Sequence, residues 1–338
     1  MLEFSGPINF LGPSPKAVEA VRQYAKLIKF YPDPNPVEFK EEVANYVGHG
    51  VRKENIILGN GSIELIYAIT EILPRGFKAV IPIPSFSEYE KAAIRVGGKA
   101  VFVQLPQNFA LETEKIKQAI TPETKILFLC NPHSPSGTLY NKESLLELVD
   151  FCREKGVIFS IDENYIEFAA EGQRTTLAGM VKEYENLFVI RSVTKFYGMA
   201  GIRLGYGLAA PNMVEKLENV RIPWSINSLA SCATLAAFND TDFIEETKKT
   251  ITKERKALAR RLSEIEGLHV FPSVTNFLLV KIQNRRITST KLKEELAKEH
   301  MLIRDCCTFT GLDDSYFRIT VRSANDNQKL VEAIKRIF

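Results

Sequence analysis

Between residues 78 and 209, short apolar runs rich in β-branched residues alternate with amphipathic helical stretches. That alternation restricts the chain to an α/β layout, with a largely parallel sheet buried between helices. The runs are KAVIPIP (78–84), AVFVQL (100–105), KILFLC (125–130), VIFSID (157–162), LFVIRS (187–192) and LGYGLA (204–209). Among the helical stretches, SIELIYAITEIL repeats its apolar residues at three and four, and NKESLLELVDFCREK opens on an asparagine suited to capping. From about residue 228 the texture changes. NSLASCATLAAF and the long stretch that follows it read as two helices, the second closed by Gly267 and entering a smaller α+β lobe. In that lobe HVFPSVTNFLLVKI, LIRDCCTF and YFRITVR read as strands, with STKLKEELAKEH and NDNQKLVEAIKRIF as helices on one face. FYPDPNP (30–36) reads as a loop. The expected division is an N-terminal arm (1–29) joining the small domain, a large domain (30–230) and a small C-terminal domain (231–338).

A chain of 338 residues has room for two such domains. Its 45% hydrophobic and 25% charged residues, without an apolar run of roughly 18, fit a soluble protein. The opening MLEFSGPINFLGPSPK carries no targeting pattern, so the cytoplasm is the expected location. Five cysteines, an odd number without C-x-x-C spacing, and four scattered histidines argue against a disulfide framework or a metal centre. With a net charge of +3, and basic clusters such as KERKALARR interleaved with acids in a helical pattern, no nucleic-acid surface is expected.

Chemistry concentrates in SVTKFYGMAGIRLGYG (192–207). Lys195 follows a strand end, where the C-terminal edge of a parallel sheet places functional groups. A lone lysine at such a point is usually a surface residue. Small and hydroxyl neighbours, with Arg203 nearby, change that reading: partly desolvated, this amine has a lowered pKa and serves as a nucleophile toward an aldehyde cofactor. Pyridoxal phosphate makes further demands. Its ring nitrogen needs a carboxylate, and Asp162 ends an otherwise apolar strand, with Tyr165 three residues on to reach the ring oxygen. Capping of the next element is the alternative role for Asp162. Its phosphate needs a cradle: LGNGSIELIYAI puts Gly61 and Ser62 where a loop becomes a helix, and Ser192 and Arg203 complete the anion site. Phe86 in IPSFSEYE offers a flat face for the ring, or else a core aromatic.

The pattern S-x-T-K-x-x-G-x-x-G-x-R-x-G-Y, with IDENYIEF and NPHSPSG upstream, resembles the fold type I pyridoxal-phosphate-dependent aminotransferases of class I/II, over nearly the whole chain. The resemblance implies that Lys195 carries the cofactor covalently, Asp162 pairs with the ring nitrogen, Tyr165 reaches the ring oxygen, and Ser192 and Arg203 hold the phosphate. It also implies a homodimer in which Tyr31 crosses to the partner's site. One position departs from the family's N-P-x-N-P-T-G: Ser134 stands where the second asparagine contacts the ring oxygen, and a hydroxyl offers fewer donors and a shorter reach.

Two subfamilies fit best, threonine-phosphate decarboxylase of cobalamin synthesis and histidinol-phosphate aminotransferase. INFLGPSP, PSFSEYEKA, LIRDCCTFTGLDDSYFRITVR and NDNQKLVEAI look like the decarboxylase. That resemblance implies that Arg304 binds the substrate's phosphate and Arg318 its carboxylate, with Asn9 and Arg322 also facing substrate; surface ion pairing is the alternative for the arginines. The expected activity is decarboxylation of L-threonine O-3-phosphate, then histidinol-phosphate transamination, then a non-catalytic binding module that keeps the cofactor fold.

Overall fold

The computed structural model describes residues 1–284 and 287–338. Thirteen strands occur among them: β1 (Leu2–Glu3), β2 (Ile56–Gly59), β3 (Lys78–Ile83), β4 (Lys99–Gln104), β5 (Thr124–Cys130), β6 (Ile158–Asp162), β7 (Leu187–Ser192), β8 (Gly205–Leu208), β9 (Leu268–Val270), β10 (Phe277–Ile282), β11 (Met301–Leu302), β12 (Arg304–Asp305) and β13 (Tyr316–Thr320). A seven-stranded sheet runs β2-β8-β7-β6-β5-β3-β4. Its pairs from β7 to β4 are parallel, and β8 pairs antiparallel with both β7 and β2. The apolar runs of the sequence form this sheet because its central strands are buried on both faces. Side chains alternate across it: Leu127, Leu129, Phe159 and Ile161 join one core, while Ile126, Phe128, Phe188 and Ile190 join the other.

The helix Lys142–Glu154 opens on Asn141, whose side chain accepts from Ser144 N at 2.8 Å. HVFPSVTNFLLVKI divides into β9 and β10, paired antiparallel across a turn that contains Pro272. These two strands, with β13 and β12, make the four-stranded sheet of the second lobe. Leu278, Val280, Phe317 and Ile319 pack there against Leu292, Leu296, Leu330 and Ile334 of two helices.

Two expected boundaries move. The division at residue 230 falls inside the helix Ser228–Phe238, whose Ala230, Ala233, Ala237 and Phe238 lie in the large core. The chain therefore passes to the small lobe along the next helix, Thr241–Ser263. Of the arm, residues 2–5 join the small lobe, with β1 paired parallel to β11, Phe4 in that lobe's core and Ser5 O accepting from Arg318; the helix Pro15–Tyr24 packs instead on Ser228–Phe238.

Strands β5 and β6 end abreast, with Cys130 paired to Asp162, and β7 runs two residues past Ile190, the partner of Asp162. One residue beyond Asp162 and one before Ser192, alternation sends Glu163 and Arg191 together into the interior. Arg191 Nε and Nη2 both donate to Glu163 Oε2 at 3.0 Å, Nη2 donates to Thr176 Oγ1 at 2.7 Å, and Leu177 N donates to Glu163 Oε1 at 2.8 Å. Both residues are buried, so removing one partner strands a charge away from water. Glu163→Ala is expected to lower stability by about 3–5 kcal/mol, read from urea unfolding midpoints.

Candidate active site

The last residues of β5, β6 and β7 and the loops after them form one wall of a cavity of about 470 Å³. The small-lobe segment 304–318 and residues 5–7 of the arm form the other wall. Ser62, Phe86, Ser134, Asp162, Tyr165, Ser192, Lys195, Arg203, Arg304 and Arg318 all line it. A larger open groove of about 960 Å³, lined in part by His269, Lys281 and Tyr316, holds none of these residues.

Asp162 is buried with a donor on each oxygen: Tyr89 Oη donates to Oδ2 at 2.8 Å and Asn164 N donates to Oδ1 at 2.9 Å. Burial pushes its carboxyl up to about 6, while those bonds and the nearby Lys195 charge hold it down. Lys195 is drawn down to about 8, first by burial and then by the Arg318 and Arg203 charges, against the pull of Asp162. Above about pH 8 the carboxylate is ionised and the amine largely neutral, the state a nucleophilic lysine beside an acid requires.

At the other end of the cavity the helix Ser62–Glu71 presents its N-terminus. Gly61 has φ of 77°, and a Cβ there would collide with Arg203 Nη2; a Cβ at Gly205 would collide with Ser62 N. Glycine at both positions lets a guanidinium, a helix N-terminus and a strand converge. Ser192 Oγ sits 2.6 Å from Thr194 Oγ1 and takes Thr194 N at 3.0 Å. Phe86 lines the cavity beside Tyr89, their rings edge to face at 5.8 Å between centroids. It is 41% exposed, so it belongs to the cavity wall and not to the core.

Arg304 and Arg318 are partners in the antiparallel β12–β13 pair. Arg318 is buried; Nη1 donates to Ser134 Oγ at 3.2 Å, Nη2 to Ser5 O at 3.3 Å, and Nε has no partner. Arg304 is exposed, with Nη2 donating to Thr308 Oγ1 at 2.9 Å.

Asn9 and Arg322 lie outside this cavity, and so does Tyr31, whose expected place is a partner's site. Asn9 is buried behind the lysine loop: its Nδ2 donates to Phe196 O at 2.9 Å and Thr247 Oγ1 at 3.0 Å, and its backbone N to Lys195 O. All its donors are taken by protein, so it steadies the loop without facing the cavity. Arg322 donates from Nε to Asp326 Oδ2 at 3.1 Å and from Nη1 to Glu3 O at 3.2 Å, which fixes the arm to the last helix. Tyr31 is 88% exposed and meets Trp224 at 6.1 Å between ring centroids. Tyr89 and Asn164, both lining the cavity, escaped the sequence reading. The only sequence signal for either is proximity, three residues after Phe86 and two after Asp162.

The profile of the class I and II aminotransferases matches residues 4–337. This chain belongs to that family. A protein of Caldanaerobacter subterraneus subsp. tengcongensis provisionally named threonine-phosphate decarboxylase is 36% identical over 98% of this chain and 89% of its own length. The histidinol-phosphate aminotransferase of Methanosarcina mazei is 35% identical over 97% of this chain and 85% of its own. Among solved structures, the histidinol-phosphate aminotransferase from Clostridium acetobutylicum superposes with a TM-score of 0.92 at 34% identity, covering 100% of this chain and 99% of that one.

Enzymes of the class I and II aminotransferase family use pyridoxal 5'-phosphate, and the donor set fits that group. One end gathers a guanidinium, two hydroxyls and a helix N-terminus, as a phosphate dianion requires. The other end holds a buried carboxylate for a pyridine nitrogen, and a poised amine lies on the same wall. The residues that would hold the cofactor are Gly61, Ser62, Phe86, Ser134, Asp162, Tyr165, Ser192, Lys195 and Arg203. Among the described residues, no group of three or more His, Cys, Asp or Glu side chains is placed to hold a metal ion, and no helix is long and apolar enough to cross a membrane.

In the cofactor-free enzyme, the rate at which Lys195 reacts with an amine-directed reagent is expected to rise as pH passes about 8. Arg318→Leu removes a cation that disfavours the ammonium, so it moves that rise to higher pH. Asp162→Asn removes the favouring anion and moves it lower. The pH profile of Lys195 modification, followed by peptide mass spectrometry, checks both directions.

Proposed function

We propose that this aminotransferase-family enzyme decarboxylates L-threonine O-3-phosphate, with pyridoxal 5'-phosphate carried on Lys195. The observation behind the choice of substrate is the pairing of Arg304 with Arg318 on the wall facing Lys195. Residues directly opposite in an antiparallel pair have Cβ atoms only about 4.5–5.5 Å apart and share a face. The guanidinium carbons of Arg304 and Arg318 lie 5.3 and 6.0 Å from the Phe309 ring centroid, and two cations beside one ring suit two anions on a short skeleton; a side-chain-phosphorylated amino acid brings a phosphate and a carboxylate with an amine between them. Buried Arg318, with Nε unpartnered, suits the carboxylate; exposed Arg304 suits the more strongly hydrated phosphate.

Bound pyridoxal phosphate supplies an aldehyde that takes up amines and a cationic ring that withdraws electrons from whichever substrate bond stands perpendicular to it. The chain's own residues do the rest. Asp162, ionised above about 6, holds a proton at the ring nitrogen. Tyr165, with its hydroxyl proton held tightly by burial, donates toward the ring oxygen. Ser134 ties Arg318 to the same neighbourhood. Ser62, Ser192, Arg203 and the helix N-terminus anchor the phosphate. Arg318 and Arg304 pin the substrate's two anions and so select the bond that is broken. By fixing the carboxylate, Arg318 would favour loss of carbon dioxide over loss of a proton, and Lys195 Nζ, facing the same wall, would supply the proton that replaces it.

Histidinol-phosphate transamination is the second reading, favoured by the relatives that bear that name. Purified enzyme with L-threonine O-3-phosphate is expected to release carbon dioxide without glutamate. Glutamate formed only from histidinol phosphate plus 2-oxoglutarate would overturn the decarboxylase reading. In the same assays Arg304→Ala is expected to weaken phosphorylated substrates about tenfold or more relative to unphosphorylated ones, by loss of a charge-assisted bond. Equal losses would contradict its role.

We also propose a homodimer in which Tyr31 reaches the partner's site. Ile28, Phe30, Tyr31, Ile222 and Trp224 are all exposed, more apolar surface in two short segments than a monomer ordinarily leaves in water. Sedimentation equilibrium should give twice the chain mass, and a monomer at micromolar concentration would refute the assignment.

A further inference from the structure

Asn164 joins the two ends of the cavity. Its backbone N–H donates to Asp162 Oδ1, and its side-chain Nδ2 donates to Ser62 Oγ at 2.9 Å, across 102 positions of sequence. The residue is 9% exposed and lines the cavity, and its Oδ1 has no hydrogen-bond partner. Ser62 opens the helix Ser62–Glu71, and Gly61 at the cap offers that helix no side chain.

A serine hydroxyl has one proton and two acceptor sites. With Nδ2 occupying an acceptor site, the Ser62 proton is not spent on Asn164, and the Ser62 hydroxyl donates to no other described group. We propose that Asn164 is a positioning residue: by donating to Ser62 Oγ it turns the Ser62 proton toward the anion and so sets how tightly the enzyme grips the cofactor's phosphate. This rests on the phosphate cradle proposed above. Reversing the carboxamide would make Ser62 the donor to Oδ1 and leave its proton unavailable to the phosphate, so the direction of this one bond decides whether Ser62 contributes. The same residue steadies Asp162 through its backbone, which side-chain substitution leaves in place.

The test titrates cofactor-free enzyme with pyridoxal 5'-phosphate and, separately, with unphosphorylated pyridoxal, following binding by absorbance and intrinsic fluorescence. Asn164→Ala and the volume-filling Asn164→Leu are each expected to weaken pyridoxal phosphate about tenfold while leaving pyridoxal within about twofold, the scale of one hydrogen bond to a charged group. Neither should add to the loss caused by Ser62→Ala. The proposal is overturned if a folded Asn164 variant keeps pyridoxal phosphate affinity within twofold, loses both ligands equally, or adds fully to Ser62→Ala. Failure of both variants to fold, read by circular dichroism, would overturn it in favour of a structural role. If Ser62→Ala itself leaves phosphate binding unchanged, the cradle fails; if Ser62→Ala weakens binding and the Asn164 variants do not, only the role of Asn164 fails.

Discussion

A carboxylate enclosed at the end of a parallel strand is the constraint around which this cavity is arranged. Left without partners, Asp162 would take up a proton, because burial disfavours its charge. Tyr89 and Asn164 supply one donor to each oxygen, and a lysine lies near enough to favour the anion. These groups come from three segments: the helix after β3, the turn after β6 and the loop after β7. Satisfying one acid therefore fixes the relative placement of three connections, and the same connections carry Phe86, Tyr165, Lys195 and Arg203 to the cavity.

How much of this was legible in the sequence follows from what each residue's environment imprints on its neighbours. Strands buried on both faces must be apolar throughout, so β3, β5, β6 and β7 stand out as continuous runs. β2 and the antiparallel setting of β8 do not, because a buried strand has the same composition whichever way its neighbour runs. Lys195, Asp162, Ser192 and Arg203 are conspicuous because small, hydroxyl and glycine residues crowd a single amine. Asn9 and Arg322 show the limit of residue type: a polar side chain announces that it needs partners, not whether they are a ligand or the chain's own carbonyls and carboxylates. Tyr89 and Asn164 act on groups 73 and 102 positions away, and nothing local marks such contacts.

Charge balance links the substrate wall to the lysine. After burial, Arg318 does most to make the Lys195 ammonium unfavourable. An anion resting on Arg318 would offset that influence and make Lys195 more basic. Ser134 accepts from the same guanidinium. Where the family pattern has asparagine, this chain has a hydroxyl that accepts from Arg318 and can turn its own proton toward Tyr165 or a ligand but cannot reach as far.

The cavity is also split by ancestry within the chain: every group suited to the cofactor comes from the seven-stranded sheet and its loops, whereas Arg304, Thr308, Phe309 and Arg318 come from the four-stranded sheet of the other lobe. Substitution in the second sheet changes what faces the cavity from that side, and at Arg318 it also changes the basicity of Lys195. A scaffold partitioned this way lets natural selection exchange one metabolic task for another by editing a single lobe.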